Sequence, residues 1–194
     1  NYSEQSQKLL KINNIKISNI YPDLEFDIKK INIKNSNFVP EGKKIAFGVD
    51  SFEDYKIWYE EYFVELANKL YEEKIFDYVY LICGKEKSYI SKKIINHSKK
   101  NYFIDCSDKD LISVIIALKN SVFFVGNNSG PLNLAAALGI KSFGLISNNP
   151  SELKYSKIIP ITSLNYKDNI FNKKREGMKK LTVDQVYSKI INTI

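Results

Sequence analysis

The sequence predicts an α/β protein: a Rossmann-like open parallel sheet with helices on both faces. Three observations carry that reading. From Lys43 onward, short runs of β-branched and aromatic residues alternate with helix-spaced apolar patterns, at intervals that suit parallel βαβ units. The hydrophobic fraction of 44% is enough for a sizeable core, while no apolar run approaches the roughly 20 residues that span a bilayer. One strand-like run, residues 121–125, feeds a small polar turn that opens an alanine-rich helix. Such turns sit at the carboxyl edge of open sheets, where ligands bind.

Residues 1–40 read as a connector. They offer a helix over 3–12, a break at Tyr21-Pro22-Asp23, an extended piece marked by Ile28, Ile31 and Ile33, and a turn at Val39-Pro40-Glu41-Gly42. A strand follows at 44–48, then a polar loop at 49–58. A helix over about 60–73 shows Phe63, Leu66, Ala67, Leu70 and Tyr71 at helical spacing. The second strand covers 77–83 and ends before Gly84. A lysine-rich helix spans about 86–98, and the third strand covers 102–106. Asp108 is expected to cap an apolar helix with Leu111, Val114, Ile115 and Leu118 on one side. After the strand at 121–125, Pro131 fits the first helical position, with Ser129 or Gly130 as N-cap. Gly126 and Gly130 are expected to allow backbone geometry that other residues resist. The strand at 141–146 leads to a polar loop at 147–150. Pro160 puts the last strand, 157–161, at an edge. Residues 163–179 read as a surface loop. Thr182 and Gln185 then form a capping box on a final helix whose stripe is Val183, Val186, Tyr187, Ile190, Ile191 and Ile194.

The formal charge of +7 and pI of about 9.1 suit a phosphorylated ligand or an anionic membrane surface. The lysines are scattered, however, and no nucleic-acid motif is present, so nucleic acid is not an expected partner. Cys83 and Cys106 each end an apolar run and read as small buried hydrophobes in a reducing compartment. With the lone His97 they make neither a zinc pattern nor a Cys/His pair. Neither G-x-G-x-x-G after the first strand, nor a P-loop, nor a G-x-S-x-G elbow occurs.

The turn from Gly126 to Gly130 is the strongest chemical signal. A helix start carries unpaired N–H groups and partial positive charge, which suits a diphosphate. The same turn also suits a plain βα connection. Ser129 reads as a hydroxyl donor to phosphate rather than a nucleophile, because no histidine is placed to activate it. Lys56 stands at the ligand edge, where its charge would offset a diphosphate leaving group. Glu86, after the second strand, is positioned to hydrogen-bond a ribose, or simply to favour a helix dipole. Trp58 reads as core.

These residues resemble glycosyltransferase family 9, the ADP-heptose:lipopolysaccharide heptosyltransferases. The run Val125-Gly126-Asn127-Asn128-Ser129-Gly130-Pro131-Leu132-Asn133-Leu134-Ala135-Ala136-Ala137-Leu138-Gly139 looks like the family signature V-G-N-D-[ST]-G-P-x-H-L-A-A-A-L-G. Lys56-Ile57-Trp58 resembles the K-x-W segment, and Gly84 with Glu86 resembles G-x-x-E. Residues 108–118 resemble the helix that precedes the signature. The likeness covers about 43–155.

The resemblance implies the C-terminal half of a GT-B enzyme. Residues 41–194 would be the Rossmann-like domain that binds a nucleotide-sugar donor, ADP-linked by analogy. Ser51 and Lys56 would lie near the phosphates, Glu86 at the ribose, and Ser129 and Gly130 at the diphosphate, with Asn128 and Asn133 completing the donor set. The catalytic base and the lipid-linked glycan acceptor would belong to an N-terminal half. The chain begins at Asn1 rather than Met, so it reads as processed or as part of a longer chain. Neither metal nor cofactor is expected, and the place implied is the cytoplasm, peripheral to the inner face of the membrane. Asn128 and Asn133 depart from the family's Asp and His. The first change removes a charge but keeps a hydrogen-bonding shape, and the second removes a cation. A non-catalytic nucleotide- or glycan-binding member is the alternative.

Overall fold

The computed structural model describes residues 39–146, 157–162 and 175–194. The expectations for 1–38, for the loop at 147–150 and for most of 163–179 lie outside the described residues. The strands are β1 (Lys44–Gly48), β2 (Tyr78–Ile82), β3 (Phe103–Asp105), β4 (Ser121–Asn127), β5 (Lys141–Ile146) and β6 (Ile158–Thr162). They form one sheet in the order β3-β2-β1-β4-β5-β6, with every pairing parallel. Chain order runs outward in both directions from the β1/β4 junction, which is therefore the switch point where such sheets open a crevice. Pro160 lies on β6 at the sheet's end, where a missing N–H interrupts no further ladder.

The helices are α1 (Glu60–Glu72), α2 (Ser88–His97), α3 (Leu111–Lys119), α4 (Gly130–Ala137), α5 (Glu176–Lys179) and α6 (Val183–Ile191). Successive strand residues point to opposite faces, so the sheet separates two cores. Phe47, Val79, Leu81, Phe123, Val125 and Phe143 pack with Trp58, Phe63, Leu66, Ile94, Val186 and Ile190 on one face. Ala46, Tyr80, Ile82 and Phe124 pack with Ile115, Leu118, Leu132, Ala135 and Ala136 on the other. The first core is aromatic and takes α1, α2 and α6. The second uses small residues, which lets α4 approach the strands.

Glycine is required where β1 meets β4. Gly48 and Gly126 are register partners. A Cβ on Gly126 would come within 2.7 Å of the Gly48 carbonyl oxygen and of the Phe124 ring, and one on Gly48 would meet that ring as well. Gly130 differs. Nothing lies within 4 Å of its Cβ position and its φ is not positive, so the turn itself does not demand a glycine there.

Several local expectations change. Asp110, not Asp108, caps α3, its carboxylate accepting the Ser113 N–H at 2.7 Å. Leu111 is 66% exposed, so the buried stripe of α3 begins further on, at Ile115 to Leu118. Pro131 takes the second helical position, because Gly130 already belongs to α4 and Ser129 is the N-cap. Residues 85–87 form a separate 3₁₀ turn before α2, so Glu86 stands ahead of the helix. Within 163–179, Glu176–Lys179 is a short helix that buries Met178. The capping box of Thr182 and Gln185 forms as expected, but Ile194 lies past α6 and is exposed.

Candidate functional site

Three loops leave the carboxyl edge beside the switch point: after β1 (49–59), after β2 (83–87) and after β4 (128–129). Each is tied to another. The Gly84 N–H donates to Asp50 Oδ2 at 2.6 Å. The Ser51 hydroxyl donates to the Asn128 carbonyl at 3.1 Å. Lys87 Nζ donates to the Ser51 carbonyl at 2.7 Å and to Asp54 Oδ1 at 2.7 Å, which holds the Asp54 carboxyl below its usual range. Asn127, fully buried at the end of β4, accepts the Trp58 N–H on Oδ1 at 2.9 Å.

Between these loops and α3 opens a cavity of about 570 Å³. Ile82, Cys83, Leu111, Val114 and Leu134 supply an apolar lining, and Asp50, Gly84, Lys109 and Gly130 supply its polar rim. Exposed Leu111 is thus explained by its place at the mouth. Such a mostly apolar cleft with a few convergent polar groups at a switch point suits a planar ring plus a charged tail. Gly130, the first residue of α4, brings backbone N–H groups to it. At the preceding position the Ser129 Oγ is buried, and among the described residues neither it nor Asn127 Nδ2 has a hydrogen-bond partner. Buried polar atoms normally find partners, which sets these two apart from the other polar groups of this edge.

The structure brings Ser51, Asn128, Ser129 and Gly130 together at the β1/β4 junction. Lys56 lies on a 3₁₀ turn (Asp54–Lys56) in the same β1 loop, ion-paired with Glu53 and over the Tyr55 ring. The Lys56 hydrogen bond, with that of Tyr55, keeps the Glu53 carboxyl low. Asn133 Nδ2 donates back to the Ser129 carbonyl at 2.9 Å, so its side chain braces the first turn of α4. Glu86 is exposed, and it does not line the cavity. Cys83 and Cys106 are free and buried. Burial pushes their thiols up, to about 11 and about 12, which leaves them neutral and weakly nucleophilic. Among the described residues, no group of three or more His, Cys, Asp or Glu side chains could hold a metal ion.

Sequence reasoning missed five residues that shape this edge: Asp50, Lys87, Lys109, Asn127 and Arg175. Asn127 was visible only as part of a motif. Arg175 carried a usable signal, being the only arginine in a lysine-rich sequence. Asp50 and Lys87 bond to residues 34 and 33 positions away, Lys109 pairs with its neighbour Asp108, and no local pattern marks any of the three as part of this edge.

The sequence profile of glycosyltransferase family 9 (heptosyltransferase) matches residues 7–190, well beyond the 43–155 stretch that the short motifs cover. No curated protein matches the chain in sequence. Among solved structures, E. coli ADP-heptose LPS heptosyltransferase II is similar at 17% identity and a TM-score of 0.75, over 91% of this chain and 55% of that one. E. coli heptosyltransferase WaaC with ADP-2-deoxy-2-fluoro heptose is similar at 19% identity and a TM-score of 0.63, over 79% of this chain and 44% of that one. A family 9 glycosyltransferase from Veillonella parvula gives 14% identity and a TM-score of 0.63, over 98% and 51%. The chain therefore spans about half the length of the structures it matches. No helix among the described residues is long and apolar enough to cross a membrane.

Proposed function

The chain belongs to glycosyltransferase family 9, and from that membership we propose that it is the donor-binding domain of an inverting glycosyltransferase acting on lipopolysaccharide core or a related surface glycan. The donor is a nucleotide sugar, ADP-linked. The observation that carries this reading is the apolar cavity at the switch point with the start of α4 and the exposed Gly130 at its rim, and with the buried Ser129 hydroxyl at the preceding position. The base fits the apolar lining of Leu111, Val114 and Leu134. The diphosphate fits the α4 N–H groups, where the helix dipole favours negative charge. The open space at the Gly130 Cβ position leaves room for an oxygen to approach the backbone.

In the reaction, an acceptor hydroxyl attacks the anomeric carbon. A new C–O bond forms as the bond to the diphosphate breaks, and the diphosphate keeps the electron pair. The hydroxyl proton passes to a carboxylate that the family resemblance assigns to an N-terminal half, together with the lipid-linked acceptor. Lys56, Ser51, Ser129 and the α4 N–H groups stabilise the leaving charge, Glu86 serves the ribose, and Asn128 and Asn133 hold the turn. Binding needs no metal, so EDTA leaves donor affinity unchanged; its loss with EDTA would count against this. The basic surface suits peripheral contact with anionic lipid at the cytoplasmic face.

The test is a thermal melt with ADP, UDP, GDP and their sugars. A ligand at about 100 times its dissociation constant adds about 2.7 kcal/mol. A shift with ADP compounds alone, lost in Ser129→Ala, is expected. A shift confined to UDP or GDP compounds would reassign the donor, and no shift with any would overturn the reading for this chain. A second reading, binding without transfer, is favoured by Asn133, whose side chain is spent on the Ser129 carbonyl. Asn128→Asp with Asn133→His separates the two, because gain of transfer in a full-length enzyme would mark a lapsed site.

A further inference from the structure

We propose that Arg175 is a positioning residue: its guanidinium fixes the Lys56-Ile57-Trp58 segment so that Lys56 is held at the diphosphate. The proposal rests on the donor-binding reading above. Arg175 Nε donates to the Ile57 carbonyl at 2.9 Å, and its Nη2 donates to the Trp58 carbonyl at 2.7 Å and to Glu60 Oε2 at 3.1 Å. The guanidinium also lies over the Tyr59 ring, 4.4 Å from its centroid. One planar group thus engages four consecutive residues, 57 to 60.

The two carbonyls bound are those immediately after Lys56 and before α1. They precede the helix and have no partner within it, so an external donor sets their peptide planes. Those planes fix the direction in which the chain leaves Lys56. Glu60 adds a second constraint. Its side chain is 9% exposed; Lys93 pairs with it at 3.7 Å, and Arg175 makes the closer contact at 3.1 Å. A buried carboxylate without a good partner is costly, so Glu60 holds Arg175 as firmly as Arg175 holds the loop. The same stretch of chain grips the loop a second time, because the Trp58 indole Nε1 donates to the Leu181 carbonyl at 2.8 Å.

The residue type is informative. The chain has 29 lysines and arginines together, and Arg175 is the only arginine. A fork reaching two carbonyls and a carboxylate while stacking on a ring is what a guanidinium does and an ammonium does not. Lys44, by contrast, reaches the single Pro40 carbonyl with its ammonium.

The experiment measures ADP affinity by calorimetry on the full chain, together with the emission of Trp58, the only tryptophan. The parent, Arg175→Lys, Lys56→Ala and the double variant form a cycle. Arg175→Lys is expected to weaken ADP about tenfold and to shift Trp58 emission to the red, yet to cost less than about twofold further in the Lys56→Ala background. Affinity within about twofold of the parent overturns the proposal, and so does a loss that is undiminished without Lys56, since that would mark a merely structural arginine. A parent that does not bind ADP overturns the donor reading and the role of Lys56 with it. The tether is then decided by emission alone: a red shift in Arg175→Lys upholds it, and an unchanged spectrum removes it.

Discussion

The loop after β1 and the turn after β4 face each other across the switch point, and they are built in opposite ways. The β1 loop is secured throughout: Asp50 to Gly84, Lys87 to Ser51 and Asp54, Trp58 to Asn127 and Leu181, and Arg175 across 57 to 60. Among the described residues, the β4 turn receives the Ser51 and Asn133 bonds on its carbonyls, and the Ser129 Oγ and Asn127 Nδ2 have no partner. One side is a wall cross-braced by hydrogen bonds to distant parts of the chain. The other holds donors in reserve. On the proposed donor-binding reading the two sides are complementary, because donors are effective only when something fixed holds them in place.

Substitutions that break the wall should have the largest effects. Trp58→Ala removes the centre of the aromatic packing with Phe63 and Tyr62 and should lower stability by about 3–5 kcal/mol, as read by urea denaturation. A loss near zero would mean that the loop is held elsewhere. Asn127→Ala leaves the buried Trp58 N–H without an acceptor and should cost about 1–3 kcal/mol, with a matching loss of ADP affinity. Thr182→Ala removes the cap of α6, just after the Leu181 anchor, and should cost about 1 kcal/mol while leaving ADP affinity unchanged.

Ser129→Ala sharpens the contrast from the other side. It deletes a hydroxyl that has no partner in the free chain, so stability should stay within about 0.5 kcal/mol while ADP affinity falls. Equal losses of both would place Ser129 in the wall. The smallest effect concerns acid. Burial acts to raise the Glu60 carboxyl, but its own backbone N–H and Arg175 together leave it below the usual 4.5. A depressed carboxylate stabilises the fold at pH values above its unfolded pKa, and that contribution is lost as pH falls through the folded one. Stability of the parent should therefore decline below about pH 4.5, with a shallower decline in Glu60→Gln, as followed by melts across pH 3–6.

Much of the fold was legible because it rests on local pattern. The six strands, the alternating helices, the edge position of Pro160 and the capping box at Thr182 all follow from periodicity and short-range chemistry. The errors fell where two local signals competed. Asp108 and Asp110 both suit an N-cap, and only the path of the chain out of β3 chooses between them. Leu111 has the right spacing for the core, yet it lines an open cavity instead. Of the seven expected donor residues, Gly130 lines that cavity, Ser51, Asn128 and Ser129 gather beside it, and Glu86 stands exposed outside it. The motif marked the turn but not the wall that supports it.

The sequence by itself determined the order of elements, the faces they bury and the turn that starts α4, because each depends on residues within a few positions of one another. Only the tertiary structure decided which carbonyls Arg175 reaches, 117 and 118 residues back along the chain, and that the Ser129 hydroxyl is buried with no partner among the described residues. Both depend on how separate loops converge at one sheet edge. That convergence is set by the packing of two cores against the same strands, and a list of neighbours along the chain does not contain it.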